Sequence, residues 1–336
     1  MNSLKKIILT FVILTVAVIA YKNFSNKSSS DISSKENLPI VAITQIIEHQ
    51  ALDQEREGII DVLAKAGYVD GKTIKIVYQN AQGNISTATQ IVTQIVSQQP
   101  KVIVAISTPS AQAALPSCIA QKIPLVFTAV TDPIGAKLVK DMTTKRDEPV
   151  TGVSDHLPIE SQIQLVKDFI PDLKTLGVIY NAGEVNSVNM VKDLKEAAEK
   201  LNIQIIEATA SKTADVSTAM TSLVGKVQAV YVPNDNTAVA AMNSIAQIGE
   251  KNKLPVFAGD TGSVNAGAVA TRGYDRFELG RKAGELVLKI LKGTPAGDLP
   301  VESGKSMQLT LNVEAAQKMA VIVPRAVLEI ATVIGE

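Results

Sequence analysis

The chain is 336 residues long, 46% hydrophobic and 20% charged, which suits a globular protein with room for two cores and excludes a disordered one. Lys plus Arg and Asp plus Glu stand at 33 each, so there is no basic footprint for nucleic acid. A single cysteine, Cys118, excludes an internal disulfide or a cysteine-built metal centre, and 4% aromatic residues with no Trp argue against broad stacking surfaces for sugars or single strands.

Residues 1–20 read as a targeting segment. Lys5 and Lys6 precede a mainly apolar run over 7–20, a length that suits a secretory signal peptide and is short for a membrane span. Val18, Ile19 and Ala20 offer a small-residue cleavage site, with an uncleaved anchor as the alternative. No cysteine follows the run, so a lipid anchor is not expected there. Cleavage would leave 31 basic against 33 acidic residues. Residues 21–37, rich in Ser, Asn and Lys, read as a flexible tether, and the folded part is expected from Leu38.

From there short apolar runs alternate with amphipathic segments. A strand over 38–44 (LPIVAIT) leads to a helix over 51–66 with Leu52, Ile59, Ile60 and Leu63 on one face, ended by Gly67. A turn at Asp70 and Gly71 feeds a strand over 73–78, and Ser86 is expected to cap the next helix. The strand 102–106 (VIVAI), a helix from about Ser110 and a strand over 123–130 complete a β-α-β-α-β-α-β order, which implies a parallel sheet with helices on both faces. Cys118 falls on the apolar side of its helix and reads as an inert core thiol. After 151–154 the programme runs again: strand 175–181, helix 190–201, strand 203–208, helix 216–223, and strands at 227–232 and 254–260. The weak repeat predicts two similar doubly wound α/β lobes. A strand over 268–271, a long amphipathic helix over 274–293, a strand over 307–311 and a short helix from Asn312 lie outside the repeat. They are expected to add further crossings between the lobes, which would act as a hinge.

Open parallel sheets bind ligands outside the carboxyl ends of their strands. Here those ends carry Gln45 with Glu48 and His49, then Ser107 and Thr108, Thr131 and Asp132, and Ser154 and Asp155. In the second copy they carry Asn181, Asn234, Asp235 and Asn236, and Asp260. Each is a natural helix cap, and Pro109 and Pro133 suit first helical positions. Capping explains each residue singly but not why two repeated lobes present the same chemistry on one edge. A cleft between them suits a small polar ligand: hydroxyls and helix N-termini (Ser107, Thr108, Asn236) for a carboxylate, and one of Asp132, Asp155, Asp235 or Asp260 for an ammonium. Both poles together describe an α-amino acid. Signatures of catalysis are missing, with no G-x-S-x-G, Walker A, HExxH or post-strand G-x-G-x-x-G, and the two histidines, His49 and His156, form no metal pair. No enzymatic activity, cofactor or metal is expected.

The segments 45–84, AISTPSAQAA (105–114), IPLVFTAVTDPIGAKLV (123–139), TGVSD (151–155), VPNDNTA (232–238) and AVATRGYDRFELGR (268–281) together resemble bacterial ABC-transporter substrate-binding proteins. The resemblance is to the group of tryptophan and aromatic amino-acid binding proteins with the type I periplasmic-binding fold. It implies three crossovers and closure over one solute. Lobe 1 would comprise 38–154 and 274–305, and lobe 2 would comprise 155–273 and 306–336. Ligand-facing positions carried over are Ser107, Thr108, Thr131, Asp132, Ser154, Asp155 and Asn234 to Asn236, with Gln45 and His49 less directly matched. The resemblance further implies a periplasmic monomer that serves an ABC permease of the inner membrane. The lipid-anchor cysteine of many relatives is absent, and Arg272 and Arg276 around the G-Y-D segment leave room for a different ligand choice. A binding protein that signals to a membrane receptor without transport is the alternative.

Overall fold

The computed structural model describes residues 38–143 and 145–335. The expected targeting segment and tether lie outside the described residues. The first lobe opens with β1 (Ile40–Gln45), α1 (Gln50–Lys65), β2 (Lys75–Asn80), α2 (Ile85–Ser97), β3 (Val102–Ile106), α3 (Thr108–Gln121), β4 (Leu125–Val130) and β5 (Val150–Ser154). The chain continues through α4 (Ile159–Phe169), β6 (Thr175–Tyr180), α5 (Val185–Lys200), β7 (Gln204–Thr209), α6 (Val216–Leu223) and β8 (Ala229–Val232). Then follow α7 (Asn236–Val239), α8 (Met242–Asn252), β9 (Val256–Ala258), α9 (Thr261–Asn265), β10 (Ala270–Tyr274) and α10 (Arg276–Leu291). The described chain closes with β11 (Glu302–Ser303), β12 (Met307–Asn312), α11 (Val313–Lys318), α12 (Arg325–Leu328) and β13 (Thr332–Ile334).

The strands form two sheets, ordered β11-β5-β4-β3-β1-β2 and β13-β12-β10-β9-β8-β6-β7. The inner orders β5-β4-β3-β1-β2 and β10-β9-β8-β6-β7 are the same, so the two lobes share a topology as well as an order of elements. All pairs in the first sheet are parallel. In the second, β12 runs antiparallel to β10 and β13 follows β12, a mixed edge on a parallel core. Central parallel strands are covered on both faces, and for that reason β3 reads as an unbroken run of β-branched residues and Ala, every one of them buried. A second cluster surrounds Tyr231, Phe257 and Phe169, the last two in edge contact with ring centroids 5.2 Å apart.

The chain passes between sheets after β5, between β10 and α10, and between β11 and β12. The three passages meet at Tyr274, which packs against both cores and whose hydroxyl donates to the His156 carbonyl at 3.1 Å. Gly304 lies against its ring so closely that a Cβ there would fall 2.4 Å from ring carbons.

Helix α10 returns to the first lobe and crosses α1 at backbone contact. A Cβ at Gly280 would sit 2.0 Å from the Glu55 carbonyl oxygen, and one at Gly58 would sit 2.2 Å from the Phe277 carbonyl oxygen. Only glycines permit that approach, and it carries the first turn of α10 to the edge of the cleft.

Several boundaries differ from the sequence reading for physical reasons. Asn84, not Ser86, caps α2, accepting from the Thr87 amide at 2.9 Å. Helix α5 starts at Val185 rather than 190, because its first turn is polar yet buried at Asn186 and Ser187, so apolar periodicity does not mark it. Strand β10 runs on to Tyr274 because β12 pairs with it, Tyr274 opposite Met307. Helices α4 and α8 carry no assignment in the sequence reading. Cys118 is buried, and burial pushes its thiol up to about 12, as suits an inert core residue.

The glycine crossing makes a direct prediction. Gly280→Ala forces α1 and α10 apart and should lower stability by about 1–3 kcal/mol. Urea unfolding of the purified variant measures this, and an unchanged midpoint would show that the crossing has slack.

Candidate functional site

In both sheets strand order reverses at the first strand of the lobe, between β1 and β3 and between β6 and β8, and the loops leaving these carboxyl ends face each other. A small cavity lies between them. His49, Ala51, Leu52 and Ala129 wall it from one side and Asn186, Asn234, Asp235, Asn236, Val239 and Asp260 from the other, with Asp155 and Arg276 at the crossing.

Arg276 organises the crossing. It is 3% exposed, and its Nη1 donates to Glu55 Oε1 at 3.1 Å and to Asp155 Oδ2. Asp155 also accepts from Thr131 Oγ1 at 3.0 Å and, across the cleft, from Asn234 Nδ2 at 3.0 Å. Thr128 donates to the other oxygen of Glu55. One cation therefore holds α1, the end of β5 and α10 together, and Asp155 extends the network to the second lobe. Burial pushes the Glu55 carboxyl up to about 7, with the neighbouring Arg276 opposing and Asp155 adding to the shift. For Arg276 burial disfavours the charge, but Asp155 and Glu55 outweigh it, so the guanidinium is held above its ordinary value.

The second lobe contributes two carboxylates committed to backbone. Asp235 caps α7 through the Ala238 amide at 2.6 Å and accepts from the Asn181 amide at 2.7 Å and Ser187 Oγ at 2.6 Å. Glu184 accepts from the Asn236 and Thr237 amides and from Thr237 Oγ1. Burial, then the charge of Glu184, pushes Asp235 up to about 7. Asp260 is 2% exposed and, among the described residues, accepts only from the Ser263 amide at 2.9 Å and Ser263 Oγ at 2.5 Å, with no basic side chain in ion-pair contact.

Buried polar atoms in folded proteins are almost always hydrogen-bonded. Among the cavity walls and in the first turn of α3 several are not. Ser107 Oγ, Thr108 Oγ1 and Ser110 Oγ at the start of α3 have no partner among the described residues, and neither do His49 Nδ1, Arg276 Nε, Asn186 Oδ1 and Asn234 Oδ1. The amide orientations of the two asparagines follow from their Nδ2 groups, which donate to the Asn234 carbonyl and to Asp155 respectively. Ser107 also sits at φ 89°, ψ 158°, a region that suits glycine and costs another residue about 1–3 kcal/mol. As the residue before α3 it makes no side-chain cap, so its hydroxyl is left for something else. Ala129 is left-handed at φ 52° in the irregularity where the β4–β5 register shifts, which turns the end of β4 into the cavity wall.

The sequence-derived candidates thus separate by place. His49, Asp155, Asn234, Asp235, Asn236 and Asp260 line the cavity. Ser107 and Thr108 are buried at the start of α3 and are not among the cavity walls; the Ser107 amide donates to the carbonyl of Thr128, the neighbour of the wall residue Ala129. Thr131 and Ser154 act on neighbours, Thr131 through Asp155 and Ser154 by donating to the Thr131 carbonyl at 3.2 Å. Asp132 accepts from the Gly135 amide at 2.8 Å and, across the cleft, from Asn189 Nδ2 at 2.9 Å, so it links the lobes. Gln45 is turned into its own lobe by Ile47, Asp53 and Arg56. Asn181 braces the second-lobe loops through Thr237 Oγ1 at 2.9 Å. Glu55, Asn186 and Ala129 have no place in the sequence reading of the site. Arg276 did leave a signal there: a cation in the first turn of a helix opposes the helix dipole and calls for a tertiary partner.

The cavity has a volume of only ≈ 20 Å³, about enough for a water and not for an amino acid. Entry of any larger ligand requires the lobes to part. Burial holds His49 neutral, down to about 4, with Asp260 opposing that shift. Among the described residues no group of His, Cys, Asp and Glu is arranged to hold a metal ion, and no helix is long and apolar enough to cross a membrane.

Comparison with known proteins agrees with this geometry. The family model described as ABC transporter substrate binding protein matches residues 40–334. A tyrosine-binding protein of Clostridioides difficile is 41% identical over 290 residues, 86% of this chain and 83% of the relative. A Streptococcus pneumoniae ABC domain in complex with L-Trp is 32% identical, covers 89% of this chain and all of its own, and superposes with a TM-score of 0.84. The ligand-free, open structure of a substrate-binding protein with adhesive properties from Clostridium difficile is 37% identical over 89% of this chain and 99% of its own. It reaches a TM-score of only 0.66. The higher sequence identity goes with the poorer superposition, so the lobes here stand nearer to the tryptophan-bound arrangement than to the open one.

The buried ionisable groups set a pH dependence. Glu55 and Asp235 bind their protons more tightly folded than unfolded, so their contribution is full below their ordinary values of 4.5 and 3.8 and is lost as pH rises through about 7. His49 works the other way, costing stability as pH falls from 6.5 towards about 4. Two carboxyls against one imidazole leave stability falling between pH 5 and 7. Urea midpoints at pH 5, 6 and 7 should therefore decline, with a flatter slope for Glu55→Gln. A midpoint that climbs over this range would contradict the assignment.

Proposed function

The chain belongs to the family of ABC transporter substrate-binding proteins, and we propose that it closes two lobes over one zwitterionic amino acid outside the cytoplasm and presents it to a membrane permease. The observation that carries this reading is the set of buried, unpartnered polar atoms on the cavity walls (His49, Asn186, Asn234 and Arg276) together with those of Ser107 and Thr108 in the first turn of α3. The two sides differ in kind. The first lobe and the crossing offer donors: the hydroxyls of Ser107 and Thr108 at the N-terminus of a helix fourteen residues long, and Arg276 Nε. These suit a carboxylate. The second lobe offers acceptors, Asn186 Oδ1, Asn234 Oδ1 and the under-bonded Asp260, which suit an ammonium. A ligand with both charged groups on one carbon satisfies both lobes only when they are closed, and this differential contact is what drives closure. An aromatic amino acid is favoured by the two relatives whose names give tyrosine and L-Trp.

In this reading lobe 1 comprises 38–154 and 274–305, lobe 2 comprises 155–273 and 306–336, and the hinge is the meeting of the three passages at Tyr274. Residues 1–20 direct export to the periplasm, and the protein acts as a monomer, without catalysis, on behalf of an inner-membrane permease. Thr131 and Ser154 hold Asp155 and the loop before it in place, and Asp132 with Asn189 latches the closed lobes.

Titration calorimetry of the purified protein with each of the common L-amino acids tests the proposal. Binding of at least one, with a thermal midpoint that rises with its concentration, is the expected result. Ser107→Ala and Thr108→Ala should each weaken that binding about ten- to a hundredfold, the loss of one hydrogen bond to a charged group. If neither substitution changes affinity, the carboxylate is held elsewhere. If no amino acid binds, the reading itself falls.

A further inference from the structure

His49 stands where the two lobes meet. It precedes α1 on the first lobe and walls both the small cavity and an adjoining groove, whose far side is formed by Val239, Met242 and Gly262 of the second. Part of the residue meets solvent, but its Nδ1 is shielded and has no partner among the described residues. Nor does its side chain cap α1. Asn236, across the cleft, is its hydrogen-bonding side-chain neighbour. The Asn236 Nδ2 is given to Glu184, so Asn236 meets the ring with its carbonyl oxygen. The ring proton is therefore on Nε2, and Nδ1 is the bare nitrogen. Burial chiefly disfavours a second proton, bringing the titration of the ring from 6.5 down to about 4. Asp260 on the second lobe opposes this, but its two oxygens already accept from the Ser263 amide and hydroxyl. Arg276 of α10 repels the proton, and Asp53 in the first turn of α1 attracts it while tied to Gln45 and Arg56. Glu48 is exposed and accepts from the Tyr78 hydroxyl. Asp235 and Glu184 accept from backbone and hydroxyl donors of their own lobe, and Asp155 from Arg276. No acceptor is set against Nδ1.

We propose that His49 is an acid-driven release for the closed lobes: a proton taken up at Nδ1 finds no acceptor until the lobes part and water reaches it. This rests on the reading of lobe closure given above and on no particular ligand. The sign follows from linkage. The ring binds its proton more tightly when the lobes are open, so protons do not oppose closure well above pH 6.5 and oppose it increasingly as pH falls towards 4. From pH 7 to pH 5 the ratio of closed to open protein should fall about twentyfold. Glu55 and Asp235 titrate near neutrality as well, but they do not reverse this. Glu55 takes its hydrogen bonds from Thr128 and Arg276, and Asp235 from Asn181, Ser187 and Ala238, so each keeps its partners when the lobes separate.

A lock on the closed form tests this. A Cβ on Gly262 would lie 3.3 Å from the Gln50 Cβ, close to the roughly 3.5–4.5 Å of a disulfide, so Gln50→Cys with Gly262→Cys should bridge the lobes on oxidation. Cys118, buried and with its thiol pushed up to about 12, does not compete. His49 and His156 are the only histidines of the chain, so NMR follows both rings from about pH 3.5 to pH 8. His49→Gln in the same background assigns the two, exposed His156 serves as the internal reference, and circular dichroism checks folding. In the oxidised protein His49 should titrate at least one pH unit below its value in the reduced protein, with His156 unmoved. That difference is a tenfold or larger opposition of protons to closure. A His49 that titrates alike in both states, or higher when oxidised, would overturn the switch. A folded variant that forms no bridge, even with a short bis-maleimide, would instead defeat the closure reading beneath it.

Discussion

A single buried guanidinium sets the geometry of this protein. Arg276 stands between Glu55 and Asp155 with all three side chains removed from water, and such a charge is tolerable only when its partners are fixed around it. Removing Asp155 leaves the guanidinium facing Glu55 alone, a carboxyl that burial pushes up to about 7 and that is therefore a poor counter-charge, so Asp155 is the partner the buried cation depends on. Their placement depends in turn on Gly58 and Gly280, which let α1 and α10 cross at backbone contact. Two glycines distant in sequence thus determine where Asp155 stands, and through Asn234 how the lobes meet.

That rigid crossing contrasts with the polar groups facing it. The structure satisfies Glu184 and Asp235 fully with backbone and hydroxyl donors, yet leaves the hydroxyls of Ser107 and Thr108 and the carbonyl oxygens of Asn186 and Asn234 without partners. The strained backbone at Ser107 belongs with them: a fold that can cap α3 in the ordinary way instead holds its first turn open. Unfilled hydrogen-bonding capacity and stored strain on both sides of one cleft are what a ligand can exploit, and neither contributes to holding the protein folded.

The strand ends show a second division of labour. Residues at neighbouring strand ends do different work: Asp132 reaches across to Asn189, Thr131 turns inward to steady Asp155, and Gln45 faces its own lobe. The same residue types at the same kind of position are separated only by which way the loop turns. In β4 that turn is made by Ala129 in a left-handed conformation, where no glycine marks it.

Local physics made much of the architecture legible from the chain alone. Runs such as VIVAI are buried on both faces and so carry no polar residues, amphipathic segments declare their helices, and the recurrence of both in one order predicts two lobes of one topology. Hydroxyls, amides and carboxylates at strand ends likewise pointed to the cleft, because parallel sheets place those ends together. What only the tertiary structure decided was how each of those residues is used. Glu55 looks like a stray acid on an apolar helix face, and the first turn of α5 looks like loop, because a buried polar residue has no periodic signature; its partner lies far along the chain. Sequence patterns report which surfaces leave water, a property each segment carries by itself. Which donor meets which acceptor is a property of segments brought together by folding, and the candidate site is made of those meetings.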